Sequence, residues 1–333
     1  MLINNFFQKF LILMNLFILT MSTLYLQDLL TIWFFMEINN FLFICYLCFQ
    51  MTNKKSIFIF FLTQIISSLL LILPLIFNNF FLFINMKFFT INFFLSLMIK
   101  LGIPPFHLWM TLISNYMNWK IIMIFLTIQK IIPFYLISMI ETKFLIFNYL
   151  IMSSIMISTY KMINLLNLKM LLTYSSINQT GWMLFLIYLK NLFWLIYMYT
   201  YMLILLIFFF FISFFKLNLK FYLNSNLTKN FNIMFLMLIM NLSSIPPMSF
   251  FLLKWMNIFI SILNSNLHLI FMIMMISSFI LIYIYINILT MTLFFYSMKF
   301  KFFYFPILSM NKNFFIMMLI FLNLFLSMII ILI

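Results

Sequence analysis

The sequence contains no arginine, no alanine and no valine, and only 3 of its 333 residues are acidic. Charged residues make up 6% of the chain, against about 25% in soluble globular domains. Hydrophobic residues make up 68%, which is more apolar surface than a soluble core can bury. The shortage of charge therefore excludes a soluble globular protein and indicates that lipid is the solvent.

Cysteine and glycine are also scarce, at two residues each. Cys45 and Cys48 form a C-x-x-C pattern inside an apolar run, where packing is favoured over a redox or metal site. A structural zinc site needs four ligands, and an iron–sulfur cluster needs more thiolates than the chain has. A G-x-G-x-x-G motif is missing as well. We therefore expect this chain itself to hold no metal and no cofactor.

A net charge of +15 would suggest a nucleic-acid partner in a soluble protein. Here the lysines are scattered between apolar runs, so we exclude nucleic acid. The N-terminus leads directly into the first apolar run, and we expect no cleavable signal. Phe, Ile, Asn and Lys, which have A/T-rich codons, are abundant, and this points to a gene in an organelle genome.

Long apolar runs fill most of the chain. A membrane-spanning helix needs about 20 apolar residues, and the sequence predicts about eleven such helices in a single polytopic all-α membrane domain, residues 1–333. The predicted spans are 3–24, 29–50, 56–77, 88–110, 121–140, 144–162, 168–189, 191–215, 231–258, 267–295 and 314–333.

Lysines outside these spans are distributed unequally between the two sides of the membrane. The N-terminal stretch and the loops after even-numbered spans hold twelve, whereas the loops after odd-numbered spans hold Lys87, Lys143 and Lys190. Positively charged loops stay on the inner side. We therefore expect the N-terminus inside and, with an odd number of spans, the C-terminus outside.

Four charged residues within the predicted spans belong to no loop: Glu37, Lys100, Lys130 and Lys254. A charge at mid-depth in a bilayer costs about 2.5–3.5 kcal/mol, so these side chains should face partners or water inside the protein. Snorkelling from the end of a span is the alternative, and it applies best to Lys254. We interpret the four residues as functional, with Asn40 on the same helix face as Glu37.

Five prolines lie near these lysines and are expected to break or kink their spans: Pro104, Pro105, Pro133, Pro246 and Pro247. Pro104, for example, removes the helical bond of the Lys100 carbonyl. Freed carbonyls are tolerated in a membrane only where protein or water satisfies them. The two double prolines fall in spans four and nine, an odd offset that indicates inverted repeats of five spans.

These stretches resemble the NADH–ubiquinone oxidoreductase chain 2 family, the antiporter-like membrane-arm subunits of mitochondrial respiratory complex I. The matching words, in family order, are WFFMEINNF, KLGIPPFHLW, QKIIP, YSSINQTGWM and PPMSFFLLKW. The resemblance implies an antiporter-like fold of two inverted five-helix repeats, with the broken helices near Pro104/Pro105 and Pro246/Pro247. The repeats would cover about 1–140 and 144–297, followed by a C-terminal span at about 314–333.

The resemblance also implies a proton relay. Glu37 would pair with Lys100 in one half-channel, Lys130 would be the central relay, and Lys254 the exit-side residue. A secondary polar path, together with water on the freed carbonyls, would connect them: His107, Ser175, Ser176, Asn178 and Ser243. For His107 a packing role is equally open, and residues 174–178 could serve as hydrogen bonds between helices.

Three positions depart from the pattern of the family. Gln179 stands where the family usually has histidine, which removes a titratable group from that link. Phe250 and Leu253 stand where it usually has glycine and proline. We therefore expect the second helix break to be milder than the first.

The function implied is that of a core membrane subunit of proton-pumping NADH:ubiquinone oxidoreductase in the mitochondrial inner membrane, with its N-terminus in the matrix and its C-terminus in the intermembrane space. NADH, FMN, iron–sulfur clusters and ubiquinone would bind to partner subunits. Expected partners are other membrane-arm subunits, including chain 4 and chain 4L, and lipids such as cardiolipin. Two alternatives stay open: a structural scaffold subunit without its own pumping, and a stand-alone cation/proton antiporter.

Overall fold

A computed structural model describes residues 2–80, 86–140, 144–165, 167–190, 192–214, 229–246, 248–262 and 267–300. These residues are helical or lie in turns between helices, and none of them is in a strand. Pro247 and the expected C-terminal span, 314–333, lie outside the described residues. The helices are α1 (Leu2–Thr23), α2 (Leu29–Gln50), α3 (Lys54–Phe80), α4 (Met86–Leu101), α5 (Leu108–Tyr116), α6 (Trp119–Leu126), α7 (Ile128–Met139), α8 (Phe144–Met162), α9 (Leu168–Tyr188), α10 (Phe193–Phe214), α11 (Lys229–Leu242), α12 (Ser249–Ile262) and α13 (His268–Phe300).

The helices lie where the apolar runs predict them, and the all-helical fold is confirmed for the described residues. Three predicted spans each consist of two helices: α4 with α5, α6 with α7, and α11 with α12. Five segments of the described chain are long and apolar enough to cross a membrane, as expected of a multi-pass membrane protein: Leu29–Gln50, Lys54–Ile76, Trp119–Met139, Phe193–Ile212 and His268–Thr290.

The helices form two compact units. The first contains the described parts of 2–154 and 179–190, and the second those of 155–178 and 191–300. In the first unit, α3 packs against α2, α4 and α5, while α7 packs against α1, α2 and α4. In the second, α12 packs against α10, α11 and α13. The predicted boundaries of the two repeats stay a prediction.

Four aromatic rings from four helices form the core of the first unit. Phe43 of α2, Phe60 of α3, Trp109 of α5 and Phe125 of α6 have neighbouring ring centroids 5.2–6.2 Å apart. All four side chains are buried, and rings at such distances attract one another beyond the effect of burial alone. This cluster fixes α2, α3, α5 and α6 around one point of the unit.

The first double proline follows a helix end that depends on glycine. Gly102 has a φ of +65°, its N–H donates to the Ile99 carbonyl at 3.2 Å, and the Ile103 N–H donates to Met98 at 3.0 Å. This pair of bonds is the Schellman motif. A Cβ on Gly102 would also lie 3.0 Å from Sδ of Met110. Residues 102–107 therefore separate α4 from α5 completely.

The second double proline follows the same motif, built with serine. Ser244 has a φ of +60°, its N–H donates to Asn241 at 3.0 Å, and the Ile245 N–H donates to Met240 at 3.3 Å. The expectation of a milder second break is wrong, because α11 ends at Leu242 and α12 begins only at Ser249. The motif ends α11 before positions 250 and 253 are reached, and both of these residues lie in the first turns of α12.

The interruption in the fifth predicted span is at Thr127 and not at Pro133. Thr127 separates α6 from α7 with a ψ of −78°, and its hydroxyl donates to the Met123 carbonyl at 2.6 Å. Pro133 lies inside α7. Because Pro133 has no N–H, only the Gln129 carbonyl in the first turn of α7 loses its helical hydrogen bond. The Thr127 hydroxyl, in contrast, competes directly with backbone N–H groups for the Met123 carbonyl.

Candidate functional site

The first unit contains a part-buried ion pair between the second predicted span and the broken fourth span. Nζ of Lys100, at the end of α4, lies 2.8 Å from Oε1 of Glu37 in the middle of α2. The lysine side chain is 2% exposed and the carboxylate 28%. Nδ2 of Asn40 donates to the same Oε1 at 3.4 Å. A charge removed from water is held in place only by such a partner and by further hydrogen bonds.

Lys130 lies on α7 and is 3% exposed. Together with Lys100 it lines a cavity of about 10 Å³. This is about the volume that one water molecule requires. Helix α7 packs against α2 and α4 here, so that residues of all three helices line one cavity. The lining is Met36, Asn39, Asn40, Phe60, Gln64, Lys100, Trp109, Met110, Phe125, Gln129, Lys130, Ile132 and Pro133.

Lys254 lies in the second unit, on α12, and is 5% exposed. Its Nζ donates to Oγ of Ser244 at 2.6 Å, and the Ser244 hydroxyl donates to the Ser243 carbonyl at 2.5 Å. The amine therefore bonds to the residue that makes the left-handed turn at the end of α11. All three intramembrane lysines are buried by protein atoms, so none of their amines points into lipid.

The side-chain amide of Asn241 connects the two halves of the second broken span. Oδ1 of Asn241, on α11, accepts hydrogen bonds from Oγ of Ser249 at 3.1 Å and from the N–H of Phe250 at 3.3 Å. The first N–H groups of a helix lack partners within it. Asn241 thus caps α12 from a different helix and orients the turn that carries Lys254.

The predicted secondary polar residues are buried: His107, Ser175, Ser176, Asn178 and Ser243. The serine hydroxyls donate to backbone carbonyls one turn earlier, at 2.6–2.9 Å. Each oxygen can still accept a hydrogen bond from another donor. His107 directly precedes α5 in the first unit, and Nδ2 of Asn178 lies 3.4 Å from Oγ of Ser158 in the second.

Several polar residues of the two units were not predicted from the sequence. In the first unit they are the amides of Asn39, Gln64 and Gln129. In the second, they are the buried hydroxyls of Tyr201 and Tyr285. Asn39 and Gln129 could have been found, because each lies within two residues of a buried charge. The tyrosines carry no such signal in a chain with 16 of them.

Cys45 and Cys48 are free thiols on α2, and Cys48 is exposed. Within the described ranges, no group of three or more histidine, cysteine, aspartate or glutamate side chains could hold a metal ion.

The chain is similar to several characterised proteins, although no protein-family model matches it. It is 33% identical over 251 residues to NADH-ubiquinone oxidoreductase chain 2 of Rhipicephalus sanguineus, which covers 74% of this chain and 77% of the relative. The protein of the same name from Suncus etruscus is 35% identical over 211 residues, and there the match spans 59% of this chain and only 60% of the relative.

Solved structures share the fold at low identity. A chain of respiratory complex I from Thermus thermophilus gives a TM-score of 0.72 at 15% identity, covering 86% of this chain and 70% of that one. A chain of the Mrp complex from Dietzia sp. DQ12-45-1b gives 0.70 at 16% identity, covering 83% and 59%. The helical fold is thus shared with membrane subunits of respiratory and Mrp complexes, and the sequence match confirms that this chain belongs to the NADH-ubiquinone oxidoreductase chain 2 family.

Proposed function

We propose that this chain relays protons across the mitochondrial inner membrane as a core subunit of a proton-pumping NADH:ubiquinone oxidoreductase. The observation that carries the proposal is the Glu37–Lys100 ion pair, 2.8 Å long, beside a cavity that Lys130 also lines. Ionisable groups are expensive in a membrane and face the protein interior mainly where they move ions or protons. The presence of Glu37, Lys100 and Lys130 in this part of the first unit favours proton transfer over packing as their role.

In the proposed cycle, a change of charge in an adjacent subunit opens or closes the Glu37–Lys100 pair. Because like charges repel each other in an apolar interior, a proton on Lys100 disfavours a proton on Lys130 in this proposal. Opening the pair removes the counter-charge from Lys100, and its proton moves on to Lys130. Lys254 then passes a proton to the outer side, with the buried serines of the second unit as hydrogen-bond acceptors.

The proposed arrangement in the membrane follows from the sequence. It has eleven spans, two inverted repeats of five and one further C-terminal span. The excess of lysines in the loops on the N-terminal side indicates an N-terminus in the matrix, and the odd number of spans then gives a C-terminus in the intermembrane space. Electron transfer, with NADH, FMN, iron–sulfur clusters and ubiquinone, belongs to partner subunits. Chain 4 and chain 4L are the proposed neighbours in the membrane arm, with cardiolipin among the surrounding lipids.

The test is the number of protons translocated per NADH oxidised by the intact complex in liposomes. We expect Lys130→Met to lower this ratio while the complex still assembles and oxidises NADH with an artificial acceptor. Lys120→Met is the matched control, because Lys120 is an exposed lysine at the start of α6. An unchanged ratio in the Lys130→Met complex would identify the chain as a scaffold, and cation exchange by the chain purified alone would identify an antiporter.

A further inference from the structure

We propose that the amides of Asn39 and Gln129 bind one water molecule that carries the proton between Lys100 and Lys130. This inference rests on the proposed function and adds to it two positioning residues on different helices. Asn39 lies two residues after Glu37 on α2, and Gln129 directly precedes Lys130 on α7. Each amide is therefore attached to the same helix as one of the titrating groups.

Two polar atoms at this cavity are buried without a hydrogen-bond partner in the protein. They are Oδ1 of Asn39 and Nε2 of Gln129, and Asn39 is only 1% exposed. Buried polar atoms in proteins are nearly always paired, with protein or with ordered water. Oδ1 of Asn39 is an acceptor and Nε2 of Gln129 is a donor. A single water molecule can donate a hydrogen bond to the first and accept one from the second.

The size and lining of the cavity point to the same occupant. Its volume of about 10 Å³ suffices for one water molecule, which needs two to four polar partners at about that volume. Asn40 and Gln64 contribute two further amides to the lining, and Lys100 and Lys130 contribute amines. Two amines disfavour a metal cation, and the amides disfavour an apolar ligand, so water fits the site best.

The proposed transfer conserves atoms and charge. The Lys100 ammonium gives one proton to the bound water while the water gives another of its protons to the neutral amine of Lys130. The water molecule is restored, Lys100 becomes neutral and Lys130 becomes charged. Asn39 accepts a hydrogen bond from the water and Gln129 donates one to it, which holds the oxygen in line between the two amines. Neither amide changes its protonation state.

The experiment uses the intact complex in liposomes with Asn39→Leu and Gln129→Met, which replace each amide by an apolar side chain of similar size. We expect protons per NADH to fall to the level of Lys130→Met in both variants. Asn148→Leu is the matched control: it removes another buried amide oxygen without a partner, on α8 of the same unit and outside the cavity lining. That variant should retain the ratio of the unmodified complex.

The outcomes separate this inference from the proposed function. If Lys130→Met lowers the ratio while Asn39→Leu and Gln129→Met behave like Asn148→Leu, the inference is overturned and the proposed function stands. If Lys130→Met has no effect, the proposed function fails first. Should the amide variants not assemble, a high-resolution cryo-EM map of the unmodified complex decides. Water density about 2.7–3.2 Å from Oδ1 of Asn39 and Nε2 of Gln129 would support the site, and a map of that quality without it would overturn the inference.

Discussion

Lys254 donates a hydrogen bond of 2.6 Å to the hydroxyl of Ser244, the left-handed residue with which α11 ends. The corresponding lysine of the first unit, Lys100, bonds to a carboxylate. Residues 155–178 and 191–333 contain no acid at all, so the second unit has no carboxylate of its own for Lys254. The two lysines therefore lie beside the same backbone motif but differ in the charge of their hydrogen-bond partner.

The carboxylate of Glu37 is predicted to control the charge of Lys100. Glu37→Gln keeps the shape but removes the negative charge 2.8 Å from the amine, so the coupling between the pair and Lys130 should be lost. We expect fewer protons per NADH in reconstituted complex, with assembly retained. Asp28→Asn, an exposed carboxylate before α2 with no side-chain capping bond, is the control; equal losses in both variants would refute a special role for Glu37.

The Ser244 hydroxyl is predicted to matter for proton transfer at Lys254. Ser244→Ala and Ser244→Gly both remove the hydroxyl, but glycine also suits the φ of +60° better than any residue with a Cβ. If the hydroxyl matters, both variants should lower protons per NADH to the same extent. A fall in the alanine variant alone would show instead that only the backbone conformation counts.

The end of α4 is predicted to require glycine. Gly102→Ala forces a Cβ into the left-handed region, which costs about 1–2 kcal/mol, and places it 3.0 Å from Sδ of Met110. The variant complex should denature at a lower temperature, as followed by loss of NADH:ubiquinone activity on heating. A Gly102→Ala complex as stable as the unmodified one would contradict the assignment of this turn.

The amide of Asn241 is predicted to stabilise the start of α12. Asn241→Ala removes the acceptor of two hydrogen bonds, from Ser249 and Phe250, and the loss of a helix cap costs about 1 kcal/mol. Asn241→Asp keeps an oxygen acceptor and is the matched variant. Faster hydrogen–deuterium exchange of the α12 amides is expected in the alanine variant only. Equal exchange in both variants would argue against the capping role.

The helices and their breaks were largely readable from the sequence, because a membrane helix must be a long apolar run and a double proline cannot continue it. The partnership of Glu37 with Lys100, 63 residues apart, came from family resemblance, since no local pattern shows which helix faces meet. For the same reason the amide of Gln64 was missed, whereas Gln129 directly precedes Lys130 and could have been found. Thr127 was missed because a single threonine in an apolar run gives no sign that its hydroxyl competes for a carbonyl.

The most direct test of the relay compares Lys130→Met, Lys254→Met and the double variant in the intact complex, with protons per NADH as the measurement. Groups that act one after another on a single path should give the same loss in each single variant and no further loss in the double variant. Losses that add in the double variant, or single variants that pump like the unmodified complex, would contradict a single proton path through these lysines.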